Sequence, residues 1–268
     1  MTPVEFLAAY FALGLFAGFV AGLLGVGGGL IIVPVLIWLF DVRGISPDIQ
    51  PHLALGTSLA SILFTSLSSV RAHHRHGAVD WSTVKRLVPG IVFGTLVGAW
   101  LASLIPARPL KIFFVVFLFY AALQMALNFK PKPHRELPGT LGMFGAGSII
   151  GSVSSWVGIG GGTLSVPFQA WCNVPLHRAI GTSAAIGFPI AAAGAIGYIF
   201  GGWHHVNLPS GSLGFLSLPA LGGIALGSIL TAPLGAKTAH ALPVAKLKKI
   251  FALLLLILAI RMTFSLWS

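Results

Sequence analysis

Long apolar stretches separated by short polar loops make up most of this chain. A helix needs about 20 apolar residues to cross a bilayer, and six stretches have that length: 53–71, 86–105, 109–128, 179–201, 211–235 and 244–267. Two more stretches, 6–40 and 139–174, are too long for one helix and too short for two full ones, and a glycine cluster interrupts each. The pattern predicts an all-α polytopic membrane protein.

The two interrupted stretches are copies of each other. Nine positions recur at a constant offset of 133 residues, with one Gly-to-Ser change; in the first copy they are Gly14, Gly18, Gly22, Gly25, Gly27, Gly28, Gly29, Val33 and Pro34. A Gly-Thr-Ser triplet follows each copy, at 56–58 and 181–183. Chance similarity between apolar segments is the alternative, and a gapless match over nine positions argues against it.

The matched positions predict two repeats. The first covers residues 1–128 and the second covers residues 139–268, with a Lys/Pro-rich cytoplasmic linker at 129–138. Each repeat is expected to hold one glycine-broken helical hairpin followed by three transmembrane helices. An odd number of full crossings in each repeat would give the two repeats opposite orientations in the membrane.

The distribution of Lys and Arg favours a hairpin in each interrupted stretch, because cytoplasmic loops carry an excess of these residues. If each stretch turns back, one side of the membrane holds 12 Lys/Arg and the other side holds four. If each stretch crosses once, the split is eight to eight and gives no orientation. We therefore predict hairpins, inverted-topology repeats and both termini on the outer side of the membrane.

The two glycine clusters, 25–29 and 158–162, are expected to line a binding site. Broken helix at membrane depth is tolerated only inside protein or beside water. A short helix is expected after each break, and its first N–H groups carry the positive end of the helix dipole. Two such ends facing one cavity would bind a small anion. The alternative is tight packing alone, which is our interpretation of the Gly-x-x-x-Gly spacings at 14–22 and 90–98.

Hydroxyl and amide side chains supply further candidate ligands. The Gly-Thr-Ser triplets contribute Thr57, Ser58, Thr182 and Ser183. These hydroxyls could donate to the oxygens of an anion or cap a helix start, and both interpretations stay open. Along one helical face, a polar path could consist of Ser58, Ser61, Thr65 and Ser68. Gln169, a polar residue expected at membrane depth, could contact the substrate or bridge helices.

Composition narrows the class of protein. Charged residues are 8% of the chain and hydrophobic residues are 56%, whereas ordinary soluble domains are roughly 25% charged. A mean hydropathy of +0.94 excludes a water-soluble enzyme and a disordered chain. The net charge of +11 comes from Lys and Arg in short loops, so we expect no nucleic-acid partner. We expect no catalytic residue, cofactor or metal, since no histidine group has ligand spacing, and the single cysteine excludes an intrachain disulfide.

Two copies of Gly-x-Gly-Gly-Gly-x-x-x-Val-Pro, each followed by Gly-Thr-Ser, resemble the TauE/SafE sulfite-exporter family, also called the toluene-sulfonate uptake permease family. The resemblance covers essentially the whole chain. It implies transport of sulfite, an organosulfonate such as sulfoacetate, or a related small sulfur-containing anion across a bacterial inner membrane. The substrate-lining residues that it implies are Gly27, Gly28, Gly29, Thr57, Ser58, Gly160, Gly161, Gly162, Thr182 and Ser183.

The sequence therefore predicts a membrane transporter, an exporter of a small sulfur-containing anion that binds at the midplane between the two breaks. The alternative is an uptake permease or a channel-like facilitator for another small anion. A remote alternative is an intramembrane serine hydrolase that pairs Ser212 with His204 or His205. The expected partners are the small anion and the lipid bilayer, and the chain is expected to be a monomer or a homodimer.

Overall fold

The computed structural model describes residues 2–25, 27–127, 136–239 and 244–266. These residues form the helices α1 (Pro3–Leu24), α2 (Gly29–Val42), α3 (Gln50–Arg75), α4 (Trp81–Leu104), α5 (Ala107–Ala126), α6 (Thr140–Val157), α7 (Gly162–Trp171), α8 (Leu176–Gly202), α9 (Leu218–Ala239) and α10 (Val244–Phe264). One antiparallel hairpin, β1 (Ser212–Leu213) and β2 (Leu216–Ser217), precedes α9. Of the described helices, six are long and apolar enough to cross a membrane: α1, α3, α4, α5, α8 and α9. The prediction of an all-α polytopic membrane protein is confirmed.

Each interrupted stretch divides at its glycine cluster into a longer and a shorter helix. α1 has 22 residues and α2 has 14, while α6 has 18 and α7 has 10. At about 1.5 Å per residue, α1 with its 22 residues is long enough to span the hydrocarbon core by itself. α2 runs back beside α1. This is shown by the guanidinium of Arg43, just after the end of α2, which lies 5.9 Å from the ring centroid of Phe6 near the start of α1.

Two of the described helices begin five or more residues from their predicted starts. α9 begins at Leu218 rather than at 211, because residues 212–217 form the β-hairpin instead of helix. Gly211 precedes this hairpin with φ of +81°, and Gly214 lies in its turn with φ of +54°. A helix interior does not accommodate such angles. α4 begins at Trp81 rather than at 86, because Asp80 Oδ1 accepts hydrogen bonds from the first N–H groups of the helix at 3.0 and 3.2 Å.

Helix contacts in the first half of the chain correspond to helix contacts in the second half. α1 packs along α9, and α6 packs along α4. α3 packs against α8, and α5 packs against α10. If α1–α5 correspond in order to α6–α10, the contact of α1 with α9 is equivalent to the contact of α6 with α4. The contacts of α3 with α8 and of α5 with α10 then each join two corresponding helices. This correspondence supports the two-repeat proposal. Of the linker predicted at 129–138, residues 129–135 lie outside the described residues.

Glycines bring the backbones of the equivalent pairs into contact. A β-carbon on Gly18 would overlap Ser228 in α9, and one on Gly94 would overlap Ser148 in α6. The same relation to the neighbouring helix holds for Gly14, Gly22, Gly90 and Gly98. The prediction that both Gly-x-x-x-Gly sets pack helices together is confirmed, and this close packing fixes the positions of the two breaks.

Candidate functional site

The two glycine breaks touch each other inside the protein. A β-carbon on Gly27 would lie 2.9 Å from both the Cα and the nitrogen of Gly160. One on Gly29 would overlap the carbonyl oxygen of Gly158. The same carbonyl oxygen accepts a 2.7 Å hydrogen bond from Ser58 Oγ. Any side chain larger than hydrogen at these glycines would therefore push the breaks apart.

A helix begins immediately after each break. Gly28, with φ of +77°, is the N-cap of α2, and Gly161 is the N-cap of α7. At neither helix start does an N–H donate a hydrogen bond to a capping side chain. The first N–H groups of a helix have no partner within it and carry about half a positive charge. Contact between the breaks thus brings two positive helix ends close together.

A small cleft that is partly open to solvent lies beside the contact between the breaks. Its lining comes from the end of α1, the two breaks, α3 and α8: Ala21, Gly25, Gly27, Ile62, Thr65, Ser66, Ser69, Gly160, Ser183, Ala184 and Gly187. The α3 residues are in its C-terminal half and the α8 residues are in its N-terminal half. The cleft therefore lies on the side of the protein that holds the α3–α4 loop.

Hydroxyl groups supply the polar part of the cleft lining. Thr65 Oγ1 lies 3.0 Å from Ser228 Oγ, and Ser66 Oγ donates to a carbonyl of its own helix at 3.1 Å. Ser69 is only 4% exposed, and its Oγ has no hydrogen-bond partner among the residues that the structure describes. A buried hydroxyl without a partner is costly, so Ser69 Oγ is the lining hydroxyl with spare capacity to donate to a ligand.

Of the predicted site residues, three line the cleft: Gly27, Gly160 and Ser183. The other glycines lie directly beside it at the starts of α2 and α7: Gly28, Gly29, Gly161 and Gly162. The cleft uses Ser66 and Ser69 in place of the predicted path residues Ser61 and Ser68. Ser61 is fully buried and donates to the Thr57 carbonyl at 2.8 Å.

The two threonines of the Gly-Thr-Ser triplets hold loops in place. Thr57 Oγ1 donates to the Leu53 carbonyl at 2.6 Å and accepts from the N–H of Ser217, just before α9, at 2.9 Å. Thr182 Oγ1 accepts from the N–H of Asp80, just before α4, at 3.0 Å. Thr57, in the first half of the chain, thus holds the loop before α9, and Thr182, in the second half, holds the loop before α4. Neither threonine caps the start of its own helix, because Thr57 lies inside α3 and Thr182 lies inside α8. Their role as anion ligands stays a prediction.

A polar cluster lies behind Ser183. Its hydroxyl bonds the hydroxyl of Ser165 in α7. One turn along α7, Gln169 Nε2 donates to the Ser165 carbonyl at 3.2 Å and to the Ala179 carbonyl at 3.5 Å. Gln169 is fully buried, and its Oε1 has no partner in the part of the chain that is described. The amide therefore bridges α7 and α8, and it reaches the cleft only through Ser165 and Ser183.

Apolar side chains fill the side of the breaks opposite the cleft. A β-carbon on Gly161 would lie 2.8 Å from Ile190 Cδ1, and one on Gly194 would lie 2.7 Å from Leu59 Cδ1. Ile186, Ile190 and Leu59 are fully buried. A polar route thus leads away from the breaks on one side of the protein, while packed isoleucine and leucine close the other.

Sequence comparison identifies the family of this chain. The family model described as "Sulfite exporter TauE/SafE" matches residues 10–262, which include both breaks and every cleft residue. The chain belongs to the TauE/SafE family. The family assignment and the apolar helices together establish a multi-pass membrane protein of a transporter family.

Curated relatives of this TauE/SafE protein carry general names. A probable membrane transporter protein of Haemophilus influenzae is 37% identical over 96% of this chain and 98% of its own length. The probable membrane transporter protein YunE of Bacillus subtilis is 32% identical over 73% of this chain and 78% of its own length. One from Methanocaldococcus jannaschii is 27% identical over 84% and 83%. No solved structure matches the chain.

Several other polar side chains of the TauE/SafE chain are not part of the cleft lining. The guanidinium of Arg261 stacks 4.7 Å from the ring centroid of Trp38, and Arg178 is exposed at the start of α8. The ring of His205 packs 5.5 Å from that of Phe215. Ser212 Oγ has no hydrogen-bond partner among the described residues, so neither His204 nor His205 bonds it in this structure.

Proposed function

We propose that this membrane transporter exports a small sulfur-containing anion, sulfite or an organosulfonate, through the cleft beside the two glycine breaks. The contact between the breaks carries the proposal, because it places the starts of α2 and α7 next to a hydroxyl-lined cleft. Helix starts and hydroxyls donate hydrogen bonds that suit anion oxygens. The description of the matching family model as a sulfite exporter supports the substrate class.

The proposal includes an orientation in a bacterial inner membrane. The loops that hold 12 of the 16 Lys/Arg, including the α3–α4 loop, are assigned to the cytoplasm. The cleft is then reached from the cytoplasm, and the two halves are inverted repeats. Among the described lining residues none is acidic, and a negative cell interior favours outward movement of an anion by about 2.3 kcal/mol per charge per 100 mV. Voltage is therefore the proposed driving force.

Anion flux in proteoliposomes tests the proposal. The purified protein is reconstituted with sulfite or an organosulfonate inside the vesicles, and a potassium diffusion potential sets the voltage. We expect efflux that rises when the lumen is made negative and that an excess of the same anion inhibits. Flux that runs only inward under every gradient would favour an uptake permease instead.

Substitutions in the breaks locate the path. Gly28→Leu and Gly161→Leu place bulk beside the helix starts, where a β-carbon already meets Ala17 O at 3.0 Å or Ile190 Cδ1 at 2.8 Å. Both variants are expected to abolish flux. Gly222→Leu is the matched control, since Gly222 lies in α9 with no atom near its β-carbon position. Full flux in both break variants, with folding intact, would count against this site.

A further inference from the structure

The described cleft has a neutral lining, which bears on the charge of its substrate. Each lining residue is glycine, alanine, isoleucine, serine or threonine. Charged and titratable side chains lie at the helix ends on the α3–α4 loop side of the protein: Arg71, His73, His74 and Arg75 on α3, His177 and Arg178 on α8, and Lys237 on α9. Asp80 lies there too, just before α4, and its N–H bonds Thr182 next to the lining residue Ser183. Except for His73, which is buried, these side chains are in contact with solvent at least in part. None of them belongs to the cleft lining, so none pairs directly with an anion inside the cleft.

The backbone supplies positive charge beside the cleft. α2 and α7 begin two residues after Gly27 and Gly160, the break glycines that line the cleft. A helix start is equivalent to about half a positive charge, so the two starts together amount to about one. About one positive charge from the two helix starts balances the charge of a monoanion. The same positive charge leaves about one negative charge of a dianion unbalanced.

The cost of leaving water separates the two cases further. The Born cost of burying an ion grows with the square of its charge, so a dianion costs about four times as much as a monoanion of the same size. Buried charges in proteins are usually paired with an opposite charge or coordinate a metal ion, and the described cleft lining holds no cationic side chain for the second charge of a dianion. The hydroxyls of Thr65, Ser66, Ser69 and Ser183 are neutral donors and suit the weaker field of a monoanion.

Ser69 provides an observation independent of the helix starts. Its hydroxyl is buried in the cleft wall without a hydrogen-bond partner in the described part of the chain. The corresponding position on α8, Gly194, has no side chain and packs on Leu59. The first half of the chain therefore supplies a donor that the second half lacks.

We propose that the cleft binds its substrate as a monoanion, whose single charge is balanced by the starts of α2 and α7 and one of whose oxygens accepts a hydrogen bond from Ser69 Oγ. This inference rests on the proposed function and narrows its substrate class. Hydrogen sulfite is the transported form of sulfite, and an alkanesulfonate without a second charged group is the preferred sulfonate. Sulfoacetate, which carries a carboxylate as well as a sulfonate, is then a poor substrate.

Flux at different pH values tests the charge state. Vesicles holding the intact protein are assayed with equal total sulfite or with methanesulfonate, which stays a monoanion throughout, so that titration of the protein cancels in their ratio. Above the pKa of hydrogen sulfite, the sulfite-to-methanesulfonate flux ratio is expected to fall about tenfold per pH unit. A ratio that is constant or rises with pH, or sulfoacetate flux equal to that of methanesulfonate, would overturn the monoanion proposal and leave the transport function standing. Absence of flux for every anion, from folded protein, would overturn both.

A pair of serine variants tests the ligand role. Ser69→Ala removes the unpartnered hydroxyl and is expected to raise the KM for methanesulfonate about tenfold, the effect of losing one hydrogen bond to a charged group. Ser68→Ala is the matched control, because Ser68 lies on the same helix outside the cleft lining. Folding of Ser69→Ala is expected to be intact, since Ser69 Oγ bonds no described group. A KM equal to that of Ser68→Ala would overturn the assignment of Ser69.

Discussion

Replacement of Gly27 by alanine is the most direct perturbation of the contact between the breaks. Gly27 has φ of +81°, a conformation that costs an L-residue roughly 1–2 kcal/mol. Its β-carbon would lie 2.9 Å from two backbone atoms of Gly160, whereas carbon atoms pack best at about 3.5–4.0 Å. The breaks must therefore separate by at least about 0.6 Å, and forcing an extra methyl into a packed interior costs about 1–3 kcal/mol.

The two costs together predict a destabilisation of about 2–5 kcal/mol. For a chain of this size that corresponds to a fall in Tm of roughly 5–15 °C, measured by intrinsic tryptophan fluorescence in detergent. Separation of the helix starts should also reduce anion flux per folded molecule at least about tenfold, since displacements near 1 Å in a binding site have effects of about that size or more.

Gly187→Ala is the control within the same cleft. Gly187 lies in α8, and the nearest atom to its β-carbon position is Ser66 Cβ at 3.7 Å, an ordinary contact. Alanine exceeds glycine in helix propensity by up to about 1 kcal/mol, so this variant should be slightly more stable than the parent protein. The reasoning is refuted if Gly27→Ala keeps the Tm and the flux of the parent protein, or if both alanine variants lose stability equally.

Four further expectations follow from the described contacts. Thr57→Val and Thr182→Val should each lower stability by about 1–2 kcal/mol in thermal unfolding and leave the substrate KM unchanged; a raised KM at normal stability would make these hydroxyls ligands. Asp80→Ala should cost about 1 kcal/mol. Partial burial raises the pKa of Asp80, but hydrogen bonds from Thr83 and Ser82 outweigh burial and hold that pKa below its usual 3.8. The stabilisation by the ionised Asp80 is therefore present above pH 3.8 and disappears as the pH falls through the lowered pKa. Acid unfolding of the variant and of the parent protein measures this difference. Gly94→Leu should prevent folding, seen as aggregation in size-exclusion chromatography, because α4 and α6 touch there. A reporter fused after Ser268 should read outside the cytoplasm, and a cytoplasmic signal would contradict the proposed orientation.

Hydropathy predicted the membrane helices because each must bury about 20 residues in hydrocarbon. It did not predict the hairpin before α9, since Leu213, Phe215 and Leu216 are as apolar as the helix that follows. Only the backbone angles of Gly211 and Gly214 separate the hairpin from the helix, and hydropathy carries no information on φ. The length of α1 was likewise hidden, because the glycine cluster marks where a helix ends and not how far it extends.

The site was predictable in its glycines and less so in its hydroxyls. Repetition at a fixed offset singled out the two breaks, and the structure brings them into contact. Along α3 the sequence offers two helical stripes of hydroxyls, and the stripe through Thr65, Ser66 and Ser69 is the one that lines the cleft. The two stripes are a fraction of a turn apart. Only the packing of α8 and α9 against α3 determines which stripe faces the cavity.

The two halves of the chain have similar helix packing but different side chains near the breaks, so the two sides of the protein differ in polarity. Corresponding helices make corresponding contacts in the two halves, yet hydroxyls line the breaks on one side and Ile186, Ile190 and Leu59 pack against the other. An anion at the breaks therefore has donors along its path toward the α3–α4 loop and none among those three apolar side chains. Release to the opposite side requires α3 and α8 to move apart there, because Leu59 on α3 packs directly on Gly194 of α8. The barrier to transport should accordingly lie at that apolar contact and not at the glycine breaks.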